Sequence, residues 1–565
     1  MPTPTRCPNV LLYGFASSLL IALSACSYDV PEPVKPASVK PPVTYERARL
    51  ASAPAMNKHI SAEYADAVSH ARALSAPIDG QFNADTGREQ YQHYPANPVM
   101  AAAQNPVSTF SIDVDTGAYA NVRRLLNQGQ LPQPDAVRLE EMVNYFPYDI
   151  VGQNRESPFA LSTEVAQTPW NPQSLLLRVA IKAQDRSVAE LPPANLVFLV
   201  DVSGSMDRRE GLPLVQSTLK LLVEQLRAQD RVSLVVYAGN SSVVLAPTSG
   251  SDKATIRAAI DGLRAGGSTA GESGIVLAYQ QAQKGFIKQG INRILLATDG
   301  DFNVGISDFD ALKRLAASKR KTGISLTTLG FGTGNYNERL MEQLADAGDG
   351  NYAYIDNLRE ARKVLVDQLS STLAVVAKDV KIQLEFNPAQ VSEYRLLGYE
   401  NRALQREDFN NDKVDAGEVG AGHSVTALYE VVPVGKRGWL EPLRYQPRAT
   451  GPAKQAVSDE LAMLRLRYKA PGQNTSRLLQ VPIAKPAQVA AIATASQDMR
   501  FATAVAAFAQ QLQGGQYTGQ FTFKDSAELA RKAKGDDRFG LRAEFIQLVE
   551  LAQSLQTSTP DLATH

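Results

Sequence analysis

Between about residues 194 and 372, short apolar runs alternate with longer stretches in which the hydrophobic positions have helical spacing. The helical spacing is clear in Val215, Leu219 and Leu222. The apolar runs predict strands at Leu196–Val200, Val232–Tyr237, Val243–Ala246, Arg293–Thr298, Ile324–Leu329 and Tyr352–Ile355. Such alternation is typical of a mostly parallel sheet with helices on both faces. The short link at 239–242 predicts that the third strand is an antiparallel edge of a doubly wound, six-stranded sheet.

Period-two alternation, which is typical of strands with one buried face, flanks this region on both sides. It occurs in residues 380–386, 424–429 and 463–468, and residues 158–190 are similar. We therefore predict an α/β fold in which the doubly wound sheet is inserted into a β-sandwich-like domain. Residues 496–555 carry apolar positions at helical spacing and predict a C-terminal helical segment.

The part of the chain before residue 105 differs from these regions. Prolines and then an Ala-rich polar stretch have the composition of a semi-stiff spacer. The expected organisation is a signal peptide (1–25), a Pro/Ala-rich tether (26–104), an N-terminal segment with a short strand and two small helices (105–157), a β-rich domain in two pieces (158–193 and 373–490), the α/β domain (194–372) and a helical segment (491–565).

The first 26 residues resemble the signal of a bacterial lipoprotein. Arg6 supplies a weak positive charge, residues 10–22 are mostly apolar, and Leu23-Ser24-Ala25-Cys26 follows. The apolar stretch is short for a bilayer span, and the last four residues resemble the lipobox at which lipoproteins are lipidated on cysteine and cleaved. Cys26 then becomes the lipid-anchored first residue. In such lipoproteins the residue after the cysteine influences sorting, and Ser27, which is not the aspartate of inner-membrane retention, implies the outer membrane. We expect the body to face the periplasm, and exposure on the cell surface stays open as the alternative. An ordinary signal peptide and an uncleaved anchor are the alternatives.

Charge and cysteine content exclude several classes of function. Lys plus Arg and Asp plus Glu both number 58, so the chain has no net charge with which to hold a nucleic-acid backbone. Cys7 and Cys26 are the only cysteines, which excludes a disulfide framework and a cysteine zinc cluster in the body. His59, His70 and His93 have no metal-site spacing, and we expect them on the solvated surface.

Polar side chains follow two strands of the predicted sheet, at the edge where parallel strands end. Asp201, Ser203 and Ser205 follow the first strand, and Asp299 follows the fourth. In a sheet of order 3-2-1-4-5-6 these strands are neighbours, so the two carboxylates should converge. Thr269, in a Gly-rich loop, adds a third hydroxyl. A cluster of oxygen donors suits a small hard cation such as Mg²⁺.

This set of motifs resembles the metal-ion-dependent adhesion site of von Willebrand factor type A (vWA) domains. The resemblance implies that Ser203, Ser205 and Thr269 coordinate the ion by hydroxyl, while Asp201 and Asp299 hold it directly or through water. The implied ion is Mg²⁺, or alternatively Mn²⁺ or Ca²⁺. In that family one coordination position stays open for an acidic side chain of a protein partner. The implied activity is therefore metal-dependent binding, with no catalytic residues.

The mature chain also resembles a group of bacterial lipoproteins in which this domain lies between a segment like residues 108–148 and a C-terminal region like residues 378–555. The resemblance implies an envelope-anchored binding module or scaffold. A regulatory subunit that presents the vWA domain to an ATP-driven chaperone is the alternative, and localisation distinguishes the two. The partner, the biological process and the oligomeric state stay open.

Four further motifs suggest other chemistry. Ser217-Thr218-Leu219-Lys220 and Lys321-Thr322-Gly323 match motifs of serine penicillin-binding enzymes, but they are predicted well inside a helix and at the opposite edge of the sheet. Asp113-Val114-Asp115 fits a turn between strand and helix better than a phosphatase nucleophile. Residues 408–418 match the opening of a calcium loop, but Lys413 replaces the usual glycine, and a solvated acidic loop is favoured.

Overall fold

The computed structural model describes residues 89–150, 157–268, 271–300, 309–333, 336–414, 416–441 and 459–558. Within these residues the strands are, in chain order, β1 (Met100–Ala101), β2 (Val107–Ser111), β3 (Phe159–Gln167), β4 (Leu175–Ala183), β5 (Ala194–Asp201), β6 (Arg231–Tyr237), β7 (Ser241–Ser249), β8 (Ile291–Thr298), β9 (Ser325–Gly330), β10 (Tyr352–Tyr354), β11 (Val375–Phe386), β12 (Val391–Leu397), β13 (Val419–Gly420), β14 (Ser424–Pro433), β15 (Glu460–Lys469) and β16 (Arg477–Ala484). The α-helices are α1 (Gly117–Asn127), α2 (Leu139–Asn144), α3 (Leu212–Gln225), α4 (Lys253–Asp261), α5 (Gly271–Lys284), α6 (Phe309–Arg320), α7 (Glu338–Ala347), α8 (Leu358–Arg362), α9 (Leu369–Leu373), α10 (Gln497–Leu512), α11 (Phe523–Lys532) and α12 (Leu541–Ser558).

The central sheet has the strand order β10-β9-β8-β5-β6-β7. Neighbouring strands are parallel except β6 and β7, which are antiparallel. The prediction of a doubly wound sheet with an antiparallel third strand is confirmed. Successive side chains of β5 enter different cores: Leu196 and Phe198 face one, and Val197 and Leu199 face the other. Because both faces are covered, the whole of β5 is buried.

Strands that precede and follow the central sheet in the sequence pair with each other. β4 pairs with β14 from Leu175 opposite Val431 to Lys182 opposite Ser424. Their sheet has the order β1-β12-β14-β4-β3, and a second sheet contains β13-β11-β15-β16, with β2 beside β11. Side chains of both sheets share one core, in which the rings of β11 and β12 residues stack. The prediction of β-rich flanks around an inserted sheet is confirmed.

The N-terminal and C-terminal helices share a further core. Phe146, which follows α2, packs edge-on against Phe501 of α10 and Phe545 of α12, with ring centroids 4.9 Å and 5.6 Å away. The C-terminal helical segment is thereby confirmed. The apolar spacing of residues 135–145 predicts one small helix. The structure instead has a 3₁₀ turn at Pro134–Ala136 and the short α2, separated by the extended residues Val137 and Arg138.

Residues 89–104, which fall in the predicted tether, contact the folded body. Met100 and Ala101 pair with β12, and the Asn97 side-chain amide donates to the Leu396 and Gly398 carbonyls at 3.2 and 2.6 Å. A two-residue strand is too short to produce a periodic pattern, so the sequence of these residues does not distinguish them from a spacer. The rest of the predicted tether, the signal peptide and Cys26 lie outside the described residues.

Arg123 of α1 is buried and joins three parts of the molecule. Its Nε donates to Asp356 at 2.8 Å, Nη2 to Glu360 of α8 at 2.8 Å, and Nη1 to Glu544 of α12 at 3.1 Å. Burial raises the pKa of Glu360, but the charges of Lys363 and Arg123 outweigh burial and leave that pKa below its ordinary value. The pairs therefore hold charged partners inside the fold.

A second arginine, Arg402, binds a cluster of carboxylates at another junction. Its guanidinium lies 3.0 Å from Asp113, 3.2 Å from Asp115, 3.2 Å from Glu342 and 2.9 Å from Asp346. These carboxylates come from the N-terminal segment and from α7. Asp113 and Asp115, considered above as a phosphatase motif, thus serve as contacts between parts of the fold.

Candidate functional site

The first strand of the central sheet ends in Asp201, which is completely buried. The residue lies opposite Tyr237 of β6 on one side, and β8 runs parallel to β5 on the other side as far as Val200 opposite Ala297. The carboxyl ends of β5 and β8 therefore meet at one edge of the sheet. This is the adjacency on which the predicted convergence of Asp201 and Asp299 depends.

The carboxylate of Asp201 is oriented by two hydrogen bonds. The Ser203 backbone N–H donates to Oδ1 at 2.9 Å, and the Thr298 hydroxyl donates to Oδ2 at 2.9 Å. The Gly300 backbone N–H donates to the Thr298 hydroxyl oxygen at 3.1 Å, which fixes that hydroxyl. Sequence reasoning assigned no role to Thr298. The signal that could have identified Thr298 is the pairing of β5 with β8. Val200 lies opposite Ala297, so the next residue of β8, Thr298, is level with Asp201.

The two serines of the motif come together in the turn after β5. The hydroxyl oxygens of Ser203 and Ser205 lie 3.0 Å apart. A 3₁₀ turn at Gly204–Met206 produces this proximity, because it folds the chain back directly after Ser203. Ser203 is buried and Ser205 is half-buried. The structure therefore brings both predicted hydroxyls to one turn at the end of β5.

The second carboxylate, Asp299, is also buried at this edge. Burial raises the pKa of Asp201 to about 6; the hydrogen bonds from Ser203 oppose the shift, and the charge of Asp299 adds to it. Gly332 packs against Asp299: it has φ +75°, and a Cβ there would lie 3.3 Å from the Asp299 Cβ. A side chain at position 332 would therefore be strained and would crowd this carboxylate.

Thr269 lies outside the described residues. The loop that leads to it is described as far as residue 268, and backbone hydrogen bonds hold it against the turn after β5. Gly266 N–H donates to the Val202 carbonyl at 2.8 Å, and Gly204 N–H donates to the Gly267 carbonyl at 3.0 Å. Residues 266 and 267 thus lie beside the serine turn.

The donor set at this edge fits a small hard cation. The four predicted site residues that the structure describes contribute carboxylate and hydroxyl oxygens, and no nitrogen or sulfur donor belongs to the set. Asp201 forms no ion pair with a basic side chain within the described ranges. The described part of the chain also contains no group of three or more His, Cys, Asp or Glu side chains that could hold a metal. A cation here would therefore depend on the serine and threonine hydroxyls as well.

Side chains of two of the other motifs, Ser217–Lys220 and the acidic loop at 408–418, bind other residues of the fold. The hydroxyl of Ser217 donates to the Pro213 carbonyl in its own helix at 2.9 Å, and Lys220 pairs with Asp261. In the acidic loop, the Asp412 side chain accepts from Ser476 N–H at 3.4 Å, and Asn410 accepts from Arg467 at 2.8 Å. Ser217 thus has no basic side chain as a hydrogen-bond partner among the described residues, and these loop side chains bind β15 and the residue before β16.

No helix in the described part of the chain is long and apolar enough to cross a membrane.

Family models match three parts of the chain. Residues 195–368 match the von Willebrand factor type A domain, residues 85–178 match a model described as von Willebrand factor, and residues 371–555 match one described as "Uncharacterized protein YfbK, C-terminal". Together with the doubly wound sheet, the match to residues 195–368 defines the central domain as a vWA domain. This class of domain typically acts in protein interaction or as a scaffold.

Full-length similarity identifies the family. The chain is 52% identical over 497 residues to YfbK of Escherichia coli (strain K12), an alignment that covers 87% of this chain and 85% of that protein. The chain therefore belongs to the YfbK family. A protein of Synechocystis sp. (strain ATCC 27184 / PCC 6803 / Kazusa), sll0103, is 33% identical over 198 residues, which is 35% of this chain and 45% of the relative.

Solved structures were compared with the chain as well. A von Willebrand factor type A protein from Catenulispora acidiphila aligns with 69% of this chain and 91% of its own, at 15% sequence identity and a TM-score of 0.37.

Proposed function

We propose that this protein is a lipoprotein of the bacterial envelope whose vWA domain binds a divalent cation and, through it, a protein partner. The observation that supports the cation site best is the Asp201 carboxylate at the buried end of β5, held by the Ser203 N–H and the Thr298 hydroxyl beside the paired hydroxyls of Ser203 and Ser205. Two buried carboxylates at one sheet edge repel each other, and a cation relieves that repulsion. The proposed ion is Mg²⁺, with Mn²⁺ or Ca²⁺ as alternatives.

In this proposal each residue of the site has a defined task. Ser203, Ser205 and Thr269 present hydroxyl oxygens, and Asp201 and Asp299 present carboxylates to the ion or to its bound water. The Ser203 N–H and the Thr298 hydroxyl hold the Asp201 carboxylate in position before a ligand arrives. A bound cation would supply a Lewis-acidic position that accepts a carboxylate from the partner. The proposed activity is binding and not catalysis.

The anchoring part of the proposal rests on the sequence before residue 27. Cys26 would carry the lipid, and the body would be attached to the outer membrane on the periplasmic side. A secreted location separates the protein from cytoplasmic ATP, which disfavours the alternative of a subunit that serves an ATP-driven chaperone.

Metal-dependent stability tests the site. Ligand that binds only the native state raises the free energy of unfolding by RT ln(1 + [L]/Kd), or about 2.7 kcal/mol at a hundredfold excess over Kd. The melting temperature of the wild type should rise with Mg²⁺ and fall with EDTA, whereas Asp201→Ala and Asp299→Ala should not respond. The matched control is Asp261→Ala at an exposed position of α4, which should respond like the wild type.

Equal Mg²⁺ shifts in the wild type, Asp201→Ala and Asp299→Ala would disprove the site. Partner binding is measured separately, by affinity capture from envelope extract with Mg²⁺ or with EDTA. The proposed function expects a captured protein that EDTA releases and that Asp201→Ala does not retain. A capture that is equal in the variant and in EDTA would contradict a metal-mediated contact.

A further inference from the structure

A cavity of about 630 Å³ lies where the N-terminal segment, the end of the vWA domain, the β-sandwich and the start of α12 meet. None of Asp201, Ser203, Ser205 and Asp299, the four predicted metal ligands that the structure describes, lines it. Its walls include aromatic side chains from three of these parts, among them Tyr145, Tyr148, Tyr352 and Phe539. A cavity of this size with apolar walls and convergent polar groups is typical of a small-molecule site.

One cationic side chain in the cavity wall is buried without a hydrogen-bond acceptor. Lys363 is 7% exposed, and its Nζ forms no hydrogen bond to any described residue. The ammonium lies 3.2 Å from the centre of the Tyr145 ring and 3.6 Å from the nearest Glu360 oxygen. Burial lowers the pKa of Lys363 to about 8, because the charges of Glu360 and Asp356 only partly compensate for lost hydration. The Tyr145 ring and the Glu360 carboxylate enclose this ammonium, and its charge adds to the positive potential that attracts an anion to the cavity.

The backbone that carries this lysine is irregular. Between α8 and α9 the helix widens into a single π-helical turn at Lys363–Asp367. Such turns are rare and occur frequently at functional sites. Lys363, Val364 and Asp367 of this turn all line the cavity. The π-helical turn therefore positions Lys363 in the cavity wall.

Further basic side chains surround the same space. Lys182, Arg359, Arg362 and Arg538 line it, against the acidic Asp115, Asp185 and Asp367, and Arg359 pairs with Glu544 at 3.3 Å. His423 also lines the cavity, but burial lowers its pKa to about 4, so this imidazole is neutral near pH 7. Arg402 contacts Asp115 at 3.2 Å, and burial raises the pKa of Asp115 well above its ordinary value, which favours the uncharged acid. In the described ranges, Lys182, Arg362 and Arg538 have no carboxylate partner. The cavity therefore has an excess of positive charge that the protein does not neutralise.

We propose that this cavity binds a small organic anion: its phosphate or carboxylate group accepts from Lys182, Arg362 and Arg538 and is attracted by the buried charge of Lys363, while an apolar body packs against the aromatic walls. Guanidinium and ammonium groups are the usual donors to such anions. The proposal is independent of the metal site. It would stand if Asp201 and Asp299 bound no cation.

Calorimetric titration of the full chain with defined probes tests the proposal. Phenyl phosphate and benzoate carry both the anion and the ring, inorganic phosphate carries only the anion, and benzyl alcohol carries only the ring. Phenyl phosphate or benzoate should bind at least about tenfold more tightly than inorganic phosphate and benzyl alcohol. Lys363→Met, which keeps the chain length and removes the charge, should weaken binding of that probe at least about tenfold.

Two further variants keep the test decisive. Lys182→Met removes a charge from the cavity wall at the β-sandwich and should also weaken binding, even if Lys363→Met fails to fold. Lys284→Met, on the exposed surface of α5 and outside the cavity, should bind like the wild type. Unchanged binding in Lys363→Met and Lys182→Met would overturn the assignment. Binding of inorganic phosphate as tightly as phenyl phosphate and benzoate, or of no probe at all, would overturn the class of ligand.

Discussion

Replacing Arg123 by methionine should destabilise the protein far more than the loss of one surface charge. The substitution keeps an unbranched side chain of similar reach but removes the guanidinium that contacts Asp356, Glu360 and Glu544. Those carboxylates are 7%, 1% and 19% exposed. Two of them would remain buried without their main counter-charge.

The structure sets the expected magnitude. Removing one partner of a buried ion pair costs about 3–5 kcal/mol, because an uncompensated charge stays behind. Glu360 would retain the hydrogen bond from the Tyr145 hydroxyl at 2.6 Å and the Lys363 ammonium at 3.6 Å. We therefore expect a loss at the lower end of that range, about 3 kcal/mol.

Urea unfolding of the purified body, followed by tryptophan fluorescence, measures this loss. Arg257→Met is the matched control, because Arg257 pairs with Glu224 at an exposed site where a pair contributes about 0–1 kcal/mol. The double variant Arg123→Met/Glu360→Gln should recover part of the loss, since it no longer buries the Glu360 charge. A loss below about 1 kcal/mol in Arg123→Met, equal to that of the control, would refute the reasoning.

Three further predictions concern pH, the site and the anchor. Burial raises the pKa of Glu338 to about 8, with Arg138 opposing and Glu342 adding to the shift. Its contribution to stability is therefore complete below its unfolded pKa and is lost as pH rises through about 8, so the melting temperature should fall from pH 5 to pH 9. Glu338→Gln should flatten that profile, and an unchanged slope would contradict the assignment. Thr298→Val removes the hydroxyl that donates to Asp201 and should cost about 1–3 kcal/mol in urea unfolding without metal, whereas Thr322→Val at an exposed turn should cost less. Cys26→Ser should abolish lipid labelling and release the body from membranes, and a variant that is still membrane-bound after signal cleavage would show that the anchor lies elsewhere.

The order of the central sheet could be predicted from the sequence because its causes are local. Strand-length apolar runs separated by helical spacing require crossover connections, and the link at 239–242 is too short for one. The placement of Asp201 and Asp299 at one edge follows from that order, since parallel strands end on the same side. The proximity of the Ser203 and Ser205 hydroxyls could also be predicted, because it requires only a turn directly after the strand.

The tertiary structure alone decided how the parts of the chain contact one another. Arg123 binds residues 233 and 421 positions away, and no local pattern distinguishes it from a surface arginine. The burial of the Lys363 ammonium likewise depends on tertiary packing, because this lysine lies in a π-helical turn against which the Tyr145 ring packs. Periodicity reports which face of an element is buried, but the partner of a single charged side chain depends on how complete elements dock. The vWA fold and the proposed metal ligands could therefore be predicted from sequence, whereas the buried ion pairs and the basic cavity required the assembled molecule.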